Sequence, residues 1–170
     1  MDVDVTNLLL REQNVCLNEG ETAPDFSLLN QNGKEIQLSD FRDEKNVLLV
    51  LHPGELNEAC KDYISFYKTH LEQFENLDTQ VLAINMDSVD ANKEWVEDIG
   101  ELGFPLLSDY VPLGDVTLKY DCFVPEKGYG KRVVFLIDKE GVLRHIEVLS
   151  GEKGACPDMS ALLDTIRKLE

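Results

Sequence analysis

A single α/β domain built around a mixed sheet is what this chain predicts, and three patterns carry the prediction. Val47-Leu48-Leu49-Val50-Leu51 and Val81-Leu82-Ala83-Ile84 are unbroken apolar runs, the signature of strands covered on both faces. Each is followed by a stretch with helical apolar spacing. Near the C-terminus, two strand-like runs flank Asp138-Lys139-Glu140-Gly141, which reads as a hairpin turn. At 170 residues and 43% apolar content, the chain has the means to bury one core.

The elements follow in order. Residues 1–19 are mixed in character and read as an N-terminal arm, with the domain proper spanning 20–170. Gly20-Glu21-Thr22-Ala23-Pro24-Asp25 marks a loop. Phe26-Ser27-Leu28 predicts a short edge strand that turns at Asn32-Gly33 into Glu35-Ile36-Gln37-Leu38, an N-terminal β-hairpin. Ser39-Asp40 then offers a cap for a short helical turn. After the strand at 46–52, Pro53-Gly54 stops the extended run, and a helix is predicted over 57–76 with Ile64, Tyr67, Leu71 and Phe74 on one face. The strand at 81–85 leads to a helix capped by Ser88 or Asp90 and closed by Gly100 or Gly103. Pro105 to Asp109 is a short strand or extended segment, Asp115 to Tyr120 a short helix, and Arg132 to Ile137 with Val142 to Val148 the closing hairpin. A last helix runs from Pro157 to Leu169, since proline suits a first helical position. The order β-hairpin, β-α-β-α, β-hairpin, α fits a thioredoxin-like fold, a central mixed sheet flanked by helices. No repeat, low-complexity segment or linker interrupts it.

Composition excludes several function classes. Sixteen basic against thirty-three acidic residues leave a net charge of −17, which repels phosphate backbones and anionic headgroups, so neither nucleic acid nor membrane is an expected partner. The start Met1-Asp2-Val3-Asp4 has no basic and then apolar character of a signal peptide, and the expected location is the cytoplasm. Four cysteines (Cys16, Cys60, Cys122, Cys156) form no C-x-x-C pair and have no histidine at metal spacing. Neither metal nor cofactor is expected, and in a reducing cytosol the cysteines are free thiols at rest.

Cys60 is the candidate for chemistry. It falls at the start of a helix that leaves the carboxyl end of a predicted strand. There it meets unpaired backbone N–H groups and the positive end of the helix macrodipole. Both favour thiolate over thiol, and thiolate is the nucleophilic form. In open α/β sheets, sites lie beyond the carboxyl ends of strands. The competing reading is packing, because free cysteine is among the most often buried residues. Cys16 and Cys122, among apolar neighbours, read as core. His70 and His145 fall on amphipathic patterns and read as ordinary surface or core residues; His52 is a weak candidate for a general base.

Several segments, taken in order, resemble the peroxiredoxins. Gly20-x-x-Ala23-Pro24-Asp25-Phe26 with Leu38-Ser39-Asp40-Phe41 is similar to the family's opening. Pro53, Asn57 and Cys60 stand at the spacing of its P-x-x-x-T-x-x-C site. Lys131-Arg132-Val133-Val134-Phe135-Leu136-Ile137-Asp138 resembles the segment that carries its active-site arginine. Trp95 fits as well, and His70-Leu71-x-x-Phe74-Glu75-Asn76 with Phe104 to Asp109 is most similar to the one-cysteine alkyl hydroperoxide reductase E branch.

The resemblance implies a thiol-dependent peroxidase reducing hydrogen peroxide and alkyl hydroperoxides through a sulfenic acid on Cys60. Arg132 would supply positive field and hold the peroxide, and Pro53 would shield the sulfur. Asn57 stands at the threonine position, where its amide donates from a longer arm; its bland role is a helix cap. Tyr63 replaces an acidic residue that helps anchor the arginine, and His52 an aromatic one. The implied partners are a hydroperoxide substrate, an external thiol or thioredoxin-like reductant, and a second copy in a homodimer. The resemblance implies no resolving cysteine, but from its own position just before Pro157, at a helix start, Cys156 is the possible resolving thiol. Two other functions compete. One is a thioredoxin-fold redox-sensing or binding module with little peroxidase activity. The other is a disulfide reductase, disfavoured because Tyr63 stands where a C-x-x-C partner would be.

Overall fold

In the computed structural model of the chain, the residues described are 17–51, 58–110, 114–124, 129–130, 132–149 and 159–169. Nine strands and five helices are described: β1 (Ser27–Leu29), β2 (Glu35–Gln37), β3 (Asn46–Leu51), α1 (Glu58–Thr69), α2 (Leu71–Asn76), β4 (Thr79–Asn85), α3 (Val89–Ile99), β5 (Leu106–Ser108), α4 (Asp115–Lys119), β6 (Phe123–Val124), β7 (Tyr129–Gly130), β8 (Val133–Ile137), β9 (Leu143–Val148) and α5 (Met159–Arg167). Seven strands form one sheet in the order β2-β1-β5-β4-β3-β8-β9, and β6 pairs with β7 separately. β3, β4 and β5 run parallel, while β8 lies antiparallel to β3 and β9 antiparallel to β8. This is the expected mixed α/β sheet with its N-terminal hairpin.

β3 and β8 are buried at every position, which is why their sequences are unbroken apolar runs. Strand alternation divides those side chains between two cores. Leu48 and Val50 of β3 join Val134 and Leu136 of β8 beneath Ile64 and Tyr67 of α1, Phe74 of α2 and Leu162, Leu163 and Ile166 of α5. Val47, Leu49 and Leu51 join Phe135, Phe26 and Tyr120 on the other face. Each large side chain fully removed from water contributes about 1.5–3 kcal/mol of transfer free energy.

Turn chemistry follows the sequence closely in places. Ser88 caps α3, its hydroxyl accepting from the Ala91 amide at 3.2 Å, and Gly100 closes the helix at φ 92°. In the β8–β9 turn the Asp138 carboxylate accepts the Glu140 and Val142 amides, both at 2.9 Å. Gly141 sits there at φ 84°, and a Cβ on it would lie 2.8 Å from the Arg42 guanidinium.

Four local expectations are corrected. The edge strand is β2, not β1, because β1 also pairs with β5 through Leu29 and Ser108. The short turn at Leu38–Phe41 is a 3-10 helix that Ser39 and Asp40 lie inside. It is held by Asp25, whose carboxylate accepts the Ser39 amide at 3.0 Å. The predicted helix over 57–76 is two helices broken at His70. Thr69 turns its hydroxyl back onto the Ser65 carbonyl at 2.9 Å, and the His70 ring lies 2.9 Å from the Phe66 carbonyl, so side chains occupy acceptors at the end of α1. The β6–β7 pair leaves no sequence signal, because strands of two residues carry no periodicity.

Candidate functional site

Cys60 lies in the first turn of α1, the third residue of Glu58–Thr69. The chain reaches α1 from the carboxyl end of β3, so the predicted strand-to-helix placement of Cys60 is what the fold contains. First-turn amides are the orphan donors of a helix, and they surround this position with positive potential.

Arg132 comes to the same end of the sheet by register. Val133 pairs with Leu51, the last residue of β3, so the chain enters β8 at the level where β3 ends. The Arg132 carbonyl accepts the Leu149 amide at 2.8 Å, which extends the β8–β9 ladder by one step and keeps Arg132 in the pleat. In that pleat Arg132 shares its face with Val134 and Leu136, the face that α1 covers. It is half-buried. Cys60 in the first turn of α1 and Arg132 at the entry to β8 therefore lie at one end of the sheet, although more than seventy residues of chain separate them.

Pro53, Asn57, His52 and the possible resolving Cys156 lie outside the described residues, as does Cys16. Cys122 is fully buried, its thiol 3.2 Å from the Tyr120 carbonyl. It packs in the core that Tyr120 and Phe135 build, in keeping with the packing reading. The Tyr120 hydroxyl donates to the Pro24 carbonyl at 2.5 Å. Burial first, then the nearby Asp25 and Cys122, hold its pKa far above the ordinary tyrosine value. This phenol stays neutral and anchors the loop before β1. His70 and His145 are partly buried, His70 against Phe66 and His145 at 3.8 Å from Glu19.

Two polar clusters near this end of the sheet escaped the sequence reading. Asn85 closes β4, and Asn92 lies on α3; their carboxamides exchange hydrogen bonds of 2.7 and 3.0 Å with both residues fully buried. Asp109, at the end of β5, places its carboxylate on the start of α4 and accepts the Val116 and Thr117 amides. Neither leaves a local signal, because each pair joins elements that only the fold brings together. Among the described residues, no group of three or more metal-ligating side chains is gathered at one place.

A thioredoxin-like sheet with a cysteine opening the helix after its buried strand β3 defines a class of protein, and similarity narrows it. The AhpC/TSA family model matches residues 20–146, and the chain belongs to that family, the peroxiredoxins. It is 39% identical over 132 residues to alkyl hydroperoxide reductase E of Mycobacterium tuberculosis (strain ATCC 25618 / H37Rv), a match covering 78% of this chain and 86% of the relative. Against the chloroplastic 2-Cys peroxiredoxin BAS1 of Hordeum vulgare it is 31% identical over 135 residues, covering 74% and 63%. The mitochondrial 2-Cys peroxiredoxin structure from Plasmodium falciparum superposes with a TM-score of 0.74 at 28% identity, covering 89% of this chain and 94% of that one. Peroxidoxin BcpB from Mycobacterium tuberculosis shares the fold at a TM-score of 0.78 and 22% identity, covering 91% and 99%.

Proposed function

We propose that this chain is a thiol-dependent peroxidase that reduces hydrogen peroxide and alkyl hydroperoxides with Cys60 as its nucleophile. The observation that carries the reading is the position of Cys60 in the first turn of α1, at the sheet end where Arg132 enters β8. Helix-start amides and a guanidinium both favour sulfur as thiolate.

The thiolate attacks the terminal oxygen of the hydroperoxide, and the O–O bond breaks as the S–O bond forms. Sulfur becomes a sulfenic acid, and the leaving oxygen takes a proton to depart as water or alcohol. Negative charge moves from sulfur to the leaving oxygen, so a fixed cation beside both stabilises the transition state more than the separated reactants. Arg132 suits this role because its planar fork stays charged and can hold two oxygens in line. Pro53 and Asn57 complete the site in this proposal, shielding the sulfur and donating an amide hydrogen to the peroxide.

An external thiol or thioredoxin-like protein closes the cycle. Its sulfur attacks the sulfenic acid and releases water, and a second thiol then frees Cys60 and leaves as a disulfide. A homodimer is the assembly this reading favours, in line with the family. The test is stopped-flow oxidation of the full chain by hydrogen peroxide and by an alkyl hydroperoxide. Rapid, saturable loss of one thiol, abolished in Cys60→Ser, is expected; oxidation as slow as that of a free thiol at the same pH would overturn the proposal in favour of a sensing or binding module.

A further inference from the structure

At the sheet end opposite the start of α1, the N-terminus of β3 opens into a recess of about 540 Å³. Asn46 lines it and is only 3% exposed. Its backbone N–H donates to the Asp78 carbonyl at 2.9 Å, but its carboxamide makes no hydrogen bond among the described residues. The carboxamide reaches the recess, where water or an entering ligand can serve it.

The charged side chains around Asn46 are unequally engaged. Asp138 is saturated: one carboxylate oxygen accepts two turn amides, and the other accepts Arg144 Nε at 2.6 Å. That bond engages Arg144 through Nε, and among the described residues the two terminal amino groups of its guanidinium make no further hydrogen bond. Lys139 is drawn to Asp78 at 3.3 Å. Lys168, just past α5, lines the recess and makes no ion pair among the described residues, and Glu140 lies close enough to Arg144 to interact with its charge. Donors thus arrive from three separate elements, as a guanidinium edge from β9, an ammonium from the end of α5 and an amide from the start of β3.

We propose that this recess binds a small oxyanion, a phosphate or carboxylate group. Arg144 and Lys168 supply the charge, and the Asn46 amide supplies a neutral donor at the base. The guanidinium edge matches the spacing of two oxyanion oxygens, which a lone ammonium does not. Glu140 opposes the ligand and limits its affinity. The site lies away from Cys60 and does not depend on the peroxidase reading.

The test is a titration of the ¹⁵N-labelled full chain with inorganic phosphate and, separately, with succinate, at ionic strength held constant with sodium chloride. Saturable shifts centred on the Asn46 side-chain amide and Arg144 Nε–H are expected; the probe that saturates tells whether phosphate or carboxylate is preferred. Lys168→Met should weaken binding about tenfold, the loss of one charge-assisted contact, and Glu140→Gln should tighten it several-fold. Dispersed spectra report that each variant is folded. Shifts that fail to saturate, that scatter over the surface or that sodium chloride alone reproduces overturn the proposal. So does a folded pair of variants that both titrate like the parent.

Discussion

Asp109 and Thr117 are joined twice by one carboxylate oxygen, which accepts the Thr117 amide at 2.7 Å and its hydroxyl at 2.6 Å. Both residues are buried, and the second oxygen takes the Val116 amide at 3.1 Å. α4 is preceded by Gly114 in a left-handed conformation, which has no side chain to cap it. Asp109 supplies that cap from β5 instead, so strand and helix are tied by an anion at a helix N-terminus.

Removing this cap leaves two amides and a hydroxyl unserved in the interior. Asp109→Ala should lower stability by about 3 kcal/mol, combining a lost cap with buried unsatisfied donors. Asp109→Asn, which keeps one acceptor oxygen, should lose roughly a third of that. Urea unfolding with unchanged m-values checks both; an Ala variant as stable as the parent would mean that water replaces the carboxylate.

In the proposed peroxidase, Arg132 acts through its charge at the sheet end shared with Cys60. Arg132→Met keeps length and apolar bulk, so the strand pairing to Leu149 should survive. Peroxide reduction at pH 7 should fall roughly 100-fold, as loss of one preorganised donor does elsewhere. The rate-pH profile should move to higher pH, because the thiolate loses a neighbouring cation. A folded variant with the parent rate and profile would reduce Arg132 to a strand-end charge.

Much of this architecture was legible in the sequence because its signals are local. β3 and β8 announce themselves as apolar runs, the β8–β9 turn by Asp138 and Gly141, and α3 by Ser88 and Gly100. Apart from the two-residue β6–β7 pair, which is too short to show a pattern, the differences arise from a partner distant in sequence or a side chain competing with the helix. Asp25 reaches Ser39 across the hairpin, β5 covers β1, and Thr69 with His70 ends a helix whose apolar face continues into Phe74 without interruption. The site divides in the same way. Cys60 stands out by its strand-turn-helix setting, whereas the placement of Arg132 at the same end of the sheet follows only from the pairing of Leu51 with Val133. Asn46 gave no sign, since an asparagine before an apolar run reads as an ordinary strand start.

Asp138 ties stability to pH. Burial alone would raise its pKa, but the Val142 amide, the Arg144 guanidinium and the Glu140 amide outweigh burial and hold the carboxyl below its ordinary value. Asp25 is lowered in the same way: against burial stand the Gln37 side chain and the Ser39 amide. A folded-state value below the unfolded one means that the ionised form stabilises the native state. This contribution is complete above the unfolded carboxylate range, near pH 4, and is lost as pH falls through the folded value. The urea midpoint of the parent should therefore drop as the pH is lowered from 5 to about 3. Asp138→Asn should start lower at pH 7 and lose less over that interval. Parallel curves for parent and variant would remove Asp138 from the acid transition.

The fate of oxidised Cys60 decides which catalytic cycle the chain follows. Cys156 is the best internal candidate to resolve it, standing before Pro157 with Gly151 and Gly154 upstream. A resolving thiol must reach the sulfenic sulfur, displace water and form a disulfide. The alternative leaves the sulfenic acid standing until an external thiol arrives, as the resemblance to the one-cysteine branch implies. We expect the external route. After one equivalent of hydrogen peroxide without reductant, a dimedone adduct should form on Cys60, and Cys156 should remain alkylatable. Non-reducing peptide maps should then contain no Cys60–Cys156 linked peptide, and Cys156→Ser should turn over at the parent rate with a small-thiol reductant. A linked peptide formed in stoichiometric yield, with loss of the dimedone adduct, would instead place Cys156 in the cycle and make the reductant's target a disulfide.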